Sequence, residues 1–292
     1  MPNLKDIRRR IGTVEKTQQI TSAMRMVAAA KLRRAESAIK AARPYAERMR
    51  DTLSEVAAAD GEAEHPLLQR HEAPDTLELV VLTSDRGLAG AFNANAIKEA
   101  ESVIAGRRGS VGRLAITTIG RKANEYFKKH YPNEVTQSYE IGAGWIEYAW
   151  AAEIARRLAS RYEAGEIDEV SLVYNRFESV MTQRPVAAPL LPFAPPSTEA
   201  AEDGDEKSPY EFEPNAKVLL ETLAPRALEV ELYRAALENQ AGEHAARMTA
   251  MESATRNTEE LIESLTLEYN RARQAAITKE LVEIVSGAQA LE

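Results

Sequence analysis

The stretch Met248 to Ala276, MTAMESATRNTEELIESLTLEYNRARQAA, sets Met248, Met251, Thr255, Thr258, Ile262, Leu265, Tyr269, Ala272 and Ala276 at alternating spacings of three and four. An unbroken run of this kind is a heptad seam, the mark of a helix packed along one narrow stripe against another helix. Several seam positions hold small or polar residues, which permits close approach and suggests a slender pair rather than a thick bundle. Upstream, Pro225 suits a first helical turn, and downstream Gly287 follows Ser286, so the spacing predicts a helix from near Pro225 to about Ser286. Its length approaches about 90 Å at the helical rise per residue.

The companion lies at the other end of the chain. From Leu4 to about Val56 the only internal proline is Pro44 and the only glycine is Gly12. Ile7, Ile11 and Val14 recur at helical spacing; Gln18 and Thr21 occupy the next positions of that register, and Ile20, Met24 and Val27 resume the rhythm. A helix of about 80 Å follows, with Pro44 as the place for a bend. A lone helix this long with so narrow an apolar stripe does not hold in water, so the two terminal helices are expected to pair as an antiparallel coiled coil.

Between them the period changes. Strand patterns at Leu77–Leu82, Arg113–Ile119, Val135–Tyr139 and Glu169–Arg176 alternate with helical patterns at Ala94–Ala105, Lys122–Lys129 and Ile146–Tyr162. Such alternation predicts a small doubly wound α/β domain with right-handed crossovers. Val180–Leu190 reads as an antiparallel edge strand whose pairing is limited by Pro185 and Pro189. The expected organisation is a coiled-coil helix over 1–56, a Rossmann-like domain over 75–196, an acidic loop over 197–209, and a foot with the second coiled-coil helix over 210–292. The flanking stretches Ala57–Asp75 and Ser197–Pro209 read as solvated and mobile.

Composition narrows the function classes. No apolar run is long enough to span a bilayer. The start MPNLKDIRRR lacks the apolar core of a signal peptide, which makes a cytosolic or bacterial setting the expectation. There is no cysteine, which removes disulfides, thiolate metal sites and thiol nucleophiles. The net charge of −8 conceals an asymmetry: Met1–Arg50 holds 13 basic residues against 4 acidic ones, or +9, leaving −17 for the rest. A basic helical stripe suits nucleic acid, a membrane surface or an acidic protein; without a recognition module or aromatic stacking pattern, the acidic protein is favoured.

Chemistry finds little material. SDRGLAGAFNAN, Ser84–Asn95, is a glycine-bearing turn of the sort that cradles phosphate, yet it matches neither G-x-x-x-x-G-K-[ST] nor G-x-G-x-x-G. It reads as a tight turn at the carboxyl edge of the sheet, with Asp85 and Arg86 free to pair locally or meet a partner. His65, His71, His130 and His244 lack metal-ligand spacing and read as solvated. Ser84 has no nucleophile-elbow context. Met24, Met26, Met248 and Met251 read as seam and adaptable packing. No catalytic, cofactor or metal site is expected.

Three blocks carry a family resemblance. LKDIRRRIGTVEKTQQITSAMRMVAAAKLRRAE, TSDRGLAGAFNAN and EHAARMTAMESATRNTEELIESLTLEYNRARQAAITKELVEIVSGAQAL resemble, in order, the first helix, the characteristic turn and the C-terminal signature of F-type ATP synthase gamma subunits. The resemblance implies a non-catalytic rotor shaft whose coiled coil enters a hexamer of alpha and beta subunits. The rest would rest on the membrane c ring and the epsilon subunit, coupling ion flow to ATP synthesis at the cytoplasmic face of a bacterial plasma membrane. It implies contacts of Met24, with Arg9 and Arg25 as basic neighbours, to an acidic segment of beta. Arg247, Gln274, Thr278 and Glu280 would meet the alpha–beta collar, Ile284 and Val285 an apolar sleeve, and Tyr210, Phe212 and Glu213 the ring and epsilon. One departure has a physical expectation attached: Gly242 stands where serine is usual, and should weaken its helix by about 1 kcal/mol relative to alanine.

Overall fold

The computed structural model describes residues 4–59, 65–72, 74–142, 144–193, 213 and 215–289. Its elements are α1 (Leu4–Ala59), a short 3-10 turn (Pro66–Leu68), β1 (Thr76–Leu82), α2 (Phe92–Arg107), β2 (Arg113–Ile119), α3 (Arg121–His130), β3 (Val135–Tyr139), α4 (Tyr148–Glu163), β4 (Glu169–Phe177), β5 (Gln183–Leu191) and α5 (Ala216–Gln289). They divide into two compact units, Met1–Ala29 with Arg247–Glu292, and Ala30–Ala246.

In the smaller unit the terminal helices run antiparallel. The Thr21 and Thr255 hydroxyls meet at 2.9 Å, and the Gln18 amide donates to Glu259 at 3.1 Å. Burial follows the heptad: Ile7, Thr21, Ala28, Met251 and Leu265 are buried. The register therefore continues straight through polar Gln18 and Thr21. Ile20 and Val27 do not resume the seam; each stands one residue, about 100°, away from a seam position and is more than half exposed. Polar residues can hold a seam position here because their groups find partners across it. From Ile277 onward the described side chains of α5 are exposed. In the antiparallel register, with Thr21 opposite Thr255, this stretch lies beyond the described part of α1, which begins at Leu4.

The larger unit holds a sheet of order β3-β2-β1-β4-β5, parallel except for β5, which lies antiparallel at the edge. Leu79, Val81, Ile116 and Val173 form a core with Ala100 and Ile104 of α2 and Ala123 and Phe127 of α3. Period two places the alternate residues on the opposite face, under α4. There Glu78, fully buried, accepts from the Thr117 hydroxyl at 2.6 Å and from the Arg161 guanidinium at 2.8 Å. At the end of β2, Gly120 adopts φ +95°, and a Cβ there would stand 2.7 Å from the Thr83 carbonyl oxygen. Only glycine combines that dihedral with that approach.

Three expectations are corrected. Helix α5 starts at Ala216, not near Pro225, because the Asn215 side chain accepts from the Val218 amide at 2.9 Å and caps it. Pro225 is tolerated inside: the carbonyl it cannot serve belongs to Glu221, which is exposed and open to solvent. Second, the described part of Ala57–Asp75 is docked rather than solvated: Leu67 is fully buried, its carbonyl accepts from the Phe193 amide at 2.8 Å, and the Tyr162 hydroxyl donates to the Gln69 carbonyl at 2.6 Å. Third, His65, His71 and His244 are engaged rather than solvated, whereas His130 is exposed as expected. His65 is buried and its Nδ1 accepts from the Leu67 amide; His71 stacks on Tyr162 and meets Asp168 at 2.6 Å. His130 stacks on Tyr126, and His244 packs edge-on against Trp145. The predicted acidic loop 197–209 lies outside the described residues.

Candidate functional site

Of the residues expected to meet partners, Met24, Arg25 and Arg247 are half-buried in the smaller unit, while Gln274, Thr278, Glu280, Ile284 and Val285 are exposed. Arg9 is exposed and reaches Asp6 at 3.4 Å. It lies about 22 Å along the helix from Met24, so the two do not share one patch. Gln274, Thr278 and Val285 project within about 40° of one another on the side of α5 away from the seam, whereas Glu280 stands about 120° from Gln274. Around them Ile277, Leu281 and Val282 are also about half exposed, making an apolar end to the described helix. Glu213 is exposed; Tyr210 and Phe212 lie outside the described residues.

The basic stripe of α1 is partly answered within the chain. The Arg43 guanidinium meets the Glu238 carboxylate at 3.3 Å, Arg50 meets Glu231 at 2.8 Å, and Arg34 lies 4.2 Å above the Trp145 ring. An acidic protein is therefore not needed to account for Arg43 and Arg50, whose carboxylates α5 supplies, nor for Arg34, which the Trp145 ring takes.

The SDRGLAGAFNAN turn is knit to itself and to its neighbours. The Ser84 amide and hydroxyl both donate to the Asn93 side chain. Asp85 does not pair with Arg86: its carboxylate accepts from the Arg121 amide at 2.8 Å and the Gly142 amide at 2.6 Å, tying together the loops at the ends of β1, β2 and β3. Leu88, at φ +61°, takes a backbone conformation unusual for a branched side chain. In open α/β sheets ligands enter where strand order reverses, beyond the carboxyl ends of the strands. Here that point lies between β1 and β4, and α5 fills it: the Asn239 amide donates to the Thr83 carbonyl at 3.1 Å and its oxygen accepts from the Asn175 amide at 3.4 Å. The reading of this loop as a turn thus has a reason that the motif alone could not supply.

The segment responsible is Ala235–Ala245, in which every residue is buried. Next to Asn239, Glu238 accepts from Arg43 and Arg234, and Gln240 donates to the Gly144 carbonyl at 3.2 Å. Burial works against the charge of Arg234, but Glu231, Tyr174 and Glu238 outweigh it and hold its pKa above the usual arginine value. Burial likewise disfavours ionised Glu231, and Arg234 and Arg50 overcome that, lowering its pKa. At Gly242 the helix packs closely, since a Cβ would come within 2.9 Å of the Phe92 ring and the ring would have to shift to admit it. In sequence AALENQAGEHA looks like any polar helix; the signal that marks it is three consecutive hydrogen-bonding side chains flanked by alanine and glycine.

Two open clefts border the sheet, of about 470 and 740 Å³. Several charged groups lining them are already committed: Arg157 to Glu153 and Arg161 to Glu78 in the first, His71 to Asp168 and Arg107 to Glu169 in the second. Burial raises the pKa of Asp168, but hydrogen bonds from His71 and from the Thr76 and Asp75 amides prevail and lower it. Among the described residues no cluster could hold a metal ion, and no helix is long and apolar enough to cross a membrane.

The sequence profile of the ATP synthase family matches residues 3–291. The ATP synthase gamma chain of Desulforamulus reducens is 50% identical over the whole of both chains, and that of Pelotomaculum thermopropionicum is 46% identical, again end to end. The chain belongs to the ATP synthase gamma chain family. Among solved structures, a chain of the Tetrahymena thermophila mitochondrial ATP synthase, from its central stalk and c-ring, is 26% identical, with a TM-score of 0.60 over 80% of this chain and 99% of the other. A chain of the Euglena gracilis mitochondrial ATP synthase rotor shares the fold at 20% identity, with a TM-score of 0.63 over 94% and 98%. Gamma chains are thus the frame for both features described above, a helical pair with bare outer faces and an α5 segment enclosed by the α/β domain.

Proposed function

We propose that this chain is the central rotor shaft of an F-type ATP synthase: non-catalytic itself, it transmits rotation of a membrane c ring to a catalytic alpha–beta hexamer and so couples ion flow to ATP synthesis. The observation that carries this reading is the match to gamma chains, 50% and 46% identical over the whole of this chain. The helical pair supports it, because its outer faces carry both charge and exposed apolar side chains, among them Ile20, Val27, Ile284 and Val285. A shaft of this kind acts by stabilising a different conformation in each surrounding subunit, a population shift driven by differential contacts.

In this reading Met24 and Arg25 face an acidic segment of beta, Gln274 and Thr278 lead the contact with the alpha–beta collar together with Arg247 and Glu280, and Ile284 and Val285 turn in an apolar sleeve. Arg9 makes a separate contact further along α1. Tyr210, Phe212 and Glu213 dock on the ring and on epsilon, and the chain is peripheral at the cytoplasmic face of a bacterial plasma membrane. Reconstitution of the chain with alpha and beta subunits and a ring in sealed vesicles tests the reading. Ion-driven ATP synthesis that requires the chain is expected; failure to bind alpha and beta, or binding without coupled turnover, overturns it.

A further inference from the structure

An enclosed helix ordinarily presents apolar residues on every side. The enclosed stretch Ala235–Ala245 departs from that rule at its centre, where Glu238 is 1%, Asn239 0% and Gln240 4% exposed. Consecutive residues of a helix point about 100° apart, so these three sweep about 200° of its circumference. Each grips a different element. Glu238 holds Arg43 of α1, which also donates to the Phe177 carbonyl of β4 at 2.9 Å. Asn239 bridges the Thr83 carbonyl beyond β1 and the Asn175 amide of β4. Gln240 reaches the Gly144 carbonyl ahead of α4.

Apolar contacts resist separation but are non-directional, and a helix held by them alone can turn in place by exchanging one contact for another. Hydrogen bonds to fixed backbone groups, which Asn239 and Gln240 make directly and Glu238 reaches only through Arg43, cannot be exchanged in this way, because a fraction of a turn leaves buried donors and acceptors unpaired. We propose that Glu238, Asn239 and Gln240 form a rotational clutch, locking α5 to the α/β domain so that torque applied to the domain passes into the helix without slip. They are positioning residues for torque transfer, and this assignment rests on the rotor-shaft reading. Gly242 and the flanking alanines serve the clutch by letting the helix approach closely enough for short polar side chains to reach the strand ends.

The test uses the complex reassembled in vesicles with Asn239→Ala and, separately, Gln240→Leu, which keeps the volume and removes the bond. Because the chain has no cysteine, a single Lys129→Cys substitution on the exposed face of α3 can anchor a bead to the α/β domain. ATP hydrolysis without load should keep at least half the unmodified rate, while ion-driven synthesis and the stall torque on the bead fall at least fivefold. Hydrogen exchange should quicken at least tenfold in 238–242 with β1 still protected. If loaded and unloaded rates change by the same factor, or loaded output stays within twofold of the unmodified complex, the clutch is refuted. Should Asn239→Ala lose β1 protection, Gln240→Leu alone decides. Absence of coupled synthesis with the unmodified chain would instead count against the rotor reading.

Discussion

Two stretches of α5 meet opposite environments. Along Met251–Ala276 the helix touches a single partner, and burial is confined largely to positions three and four apart, with only Met251 and Leu265 fully buried; along Ala235–Ala245 it is enclosed on all sides. Both stretches mix alanine, charge and amide side chains, so composition does not distinguish them. The difference lies in what surrounds the backbone: one companion helix in the first case; a companion helix, two strand ends and a loop in the second. Stability and geometric control should therefore be concentrated in the enclosed stretch, and tolerance in the paired one.

The contrast can be broken most severely at Gly120. Alanine there meets a disfavoured φ and the Thr83 carbonyl that Asn239 holds, and should cost about 3 kcal/mol in denaturant unfolding of the full chain. A loss below about 1 kcal/mol would mean that the strand ends yield easily. Arg234→Met follows. The guanidinium serves both Glu231 and Glu238 and is 13% exposed, so its removal strands two carboxylates and should destabilise by about 2 to 3 kcal/mol, less than a fully buried pair because Arg50 and Arg43 remain.

In the paired stretch the expected numbers are smaller. Met24→Lys should leave unfolding unchanged within about 0.5 kcal/mol, since Met24 is only half-buried. The added cation should nevertheless reduce the ratio of ATP made to ions moved; equal coupling in both forms would remove Met24 from the proposed beta contact. The smallest effect is expected for Thr21→Val combined with Thr255→Val, which replaces a matched hydroxyl pair by two apolar groups of similar shape. Thermal unfolding should shift little or upward, because neither partner is left behind unsatisfied. A large loss would show that the seam depends on its polar layer as strongly as the enclosed segment does on its own.

Much of the fold is legible in the sequence because periodicity reports it directly. The predicted bounds of β2 and β3 are those observed, β5 lies antiparallel at the edge with its prolines, and every heptad position from Met251 to Ala276 is at least partly buried. Most of the misreadings share one cause: the partner is distant in sequence. Ile20 and Val27 look like seam residues until Thr21 finds Thr255; His71 looks solvated until Asp168 and Tyr162 arrive; Arg43 and Arg50 look like a surface for another protein until Glu238 and Glu231 take them. The start of α5 is different, since its cap, Asn215, is local and directly precedes the first helical residue.

By itself the sequence determined that two terminal helices pair, that an α/β domain lies between them and to which family the chain belongs, since period and ordered local motifs survive without coordinates. Only the tertiary structure decided which polar residues are spoken for. Whether Asn239 faces water or closes the strand ends depends on backbone groups of Thr83 and Asn175. Those lie more than sixty residues away in the chain, and no local pattern encodes where a distant carbonyl will point.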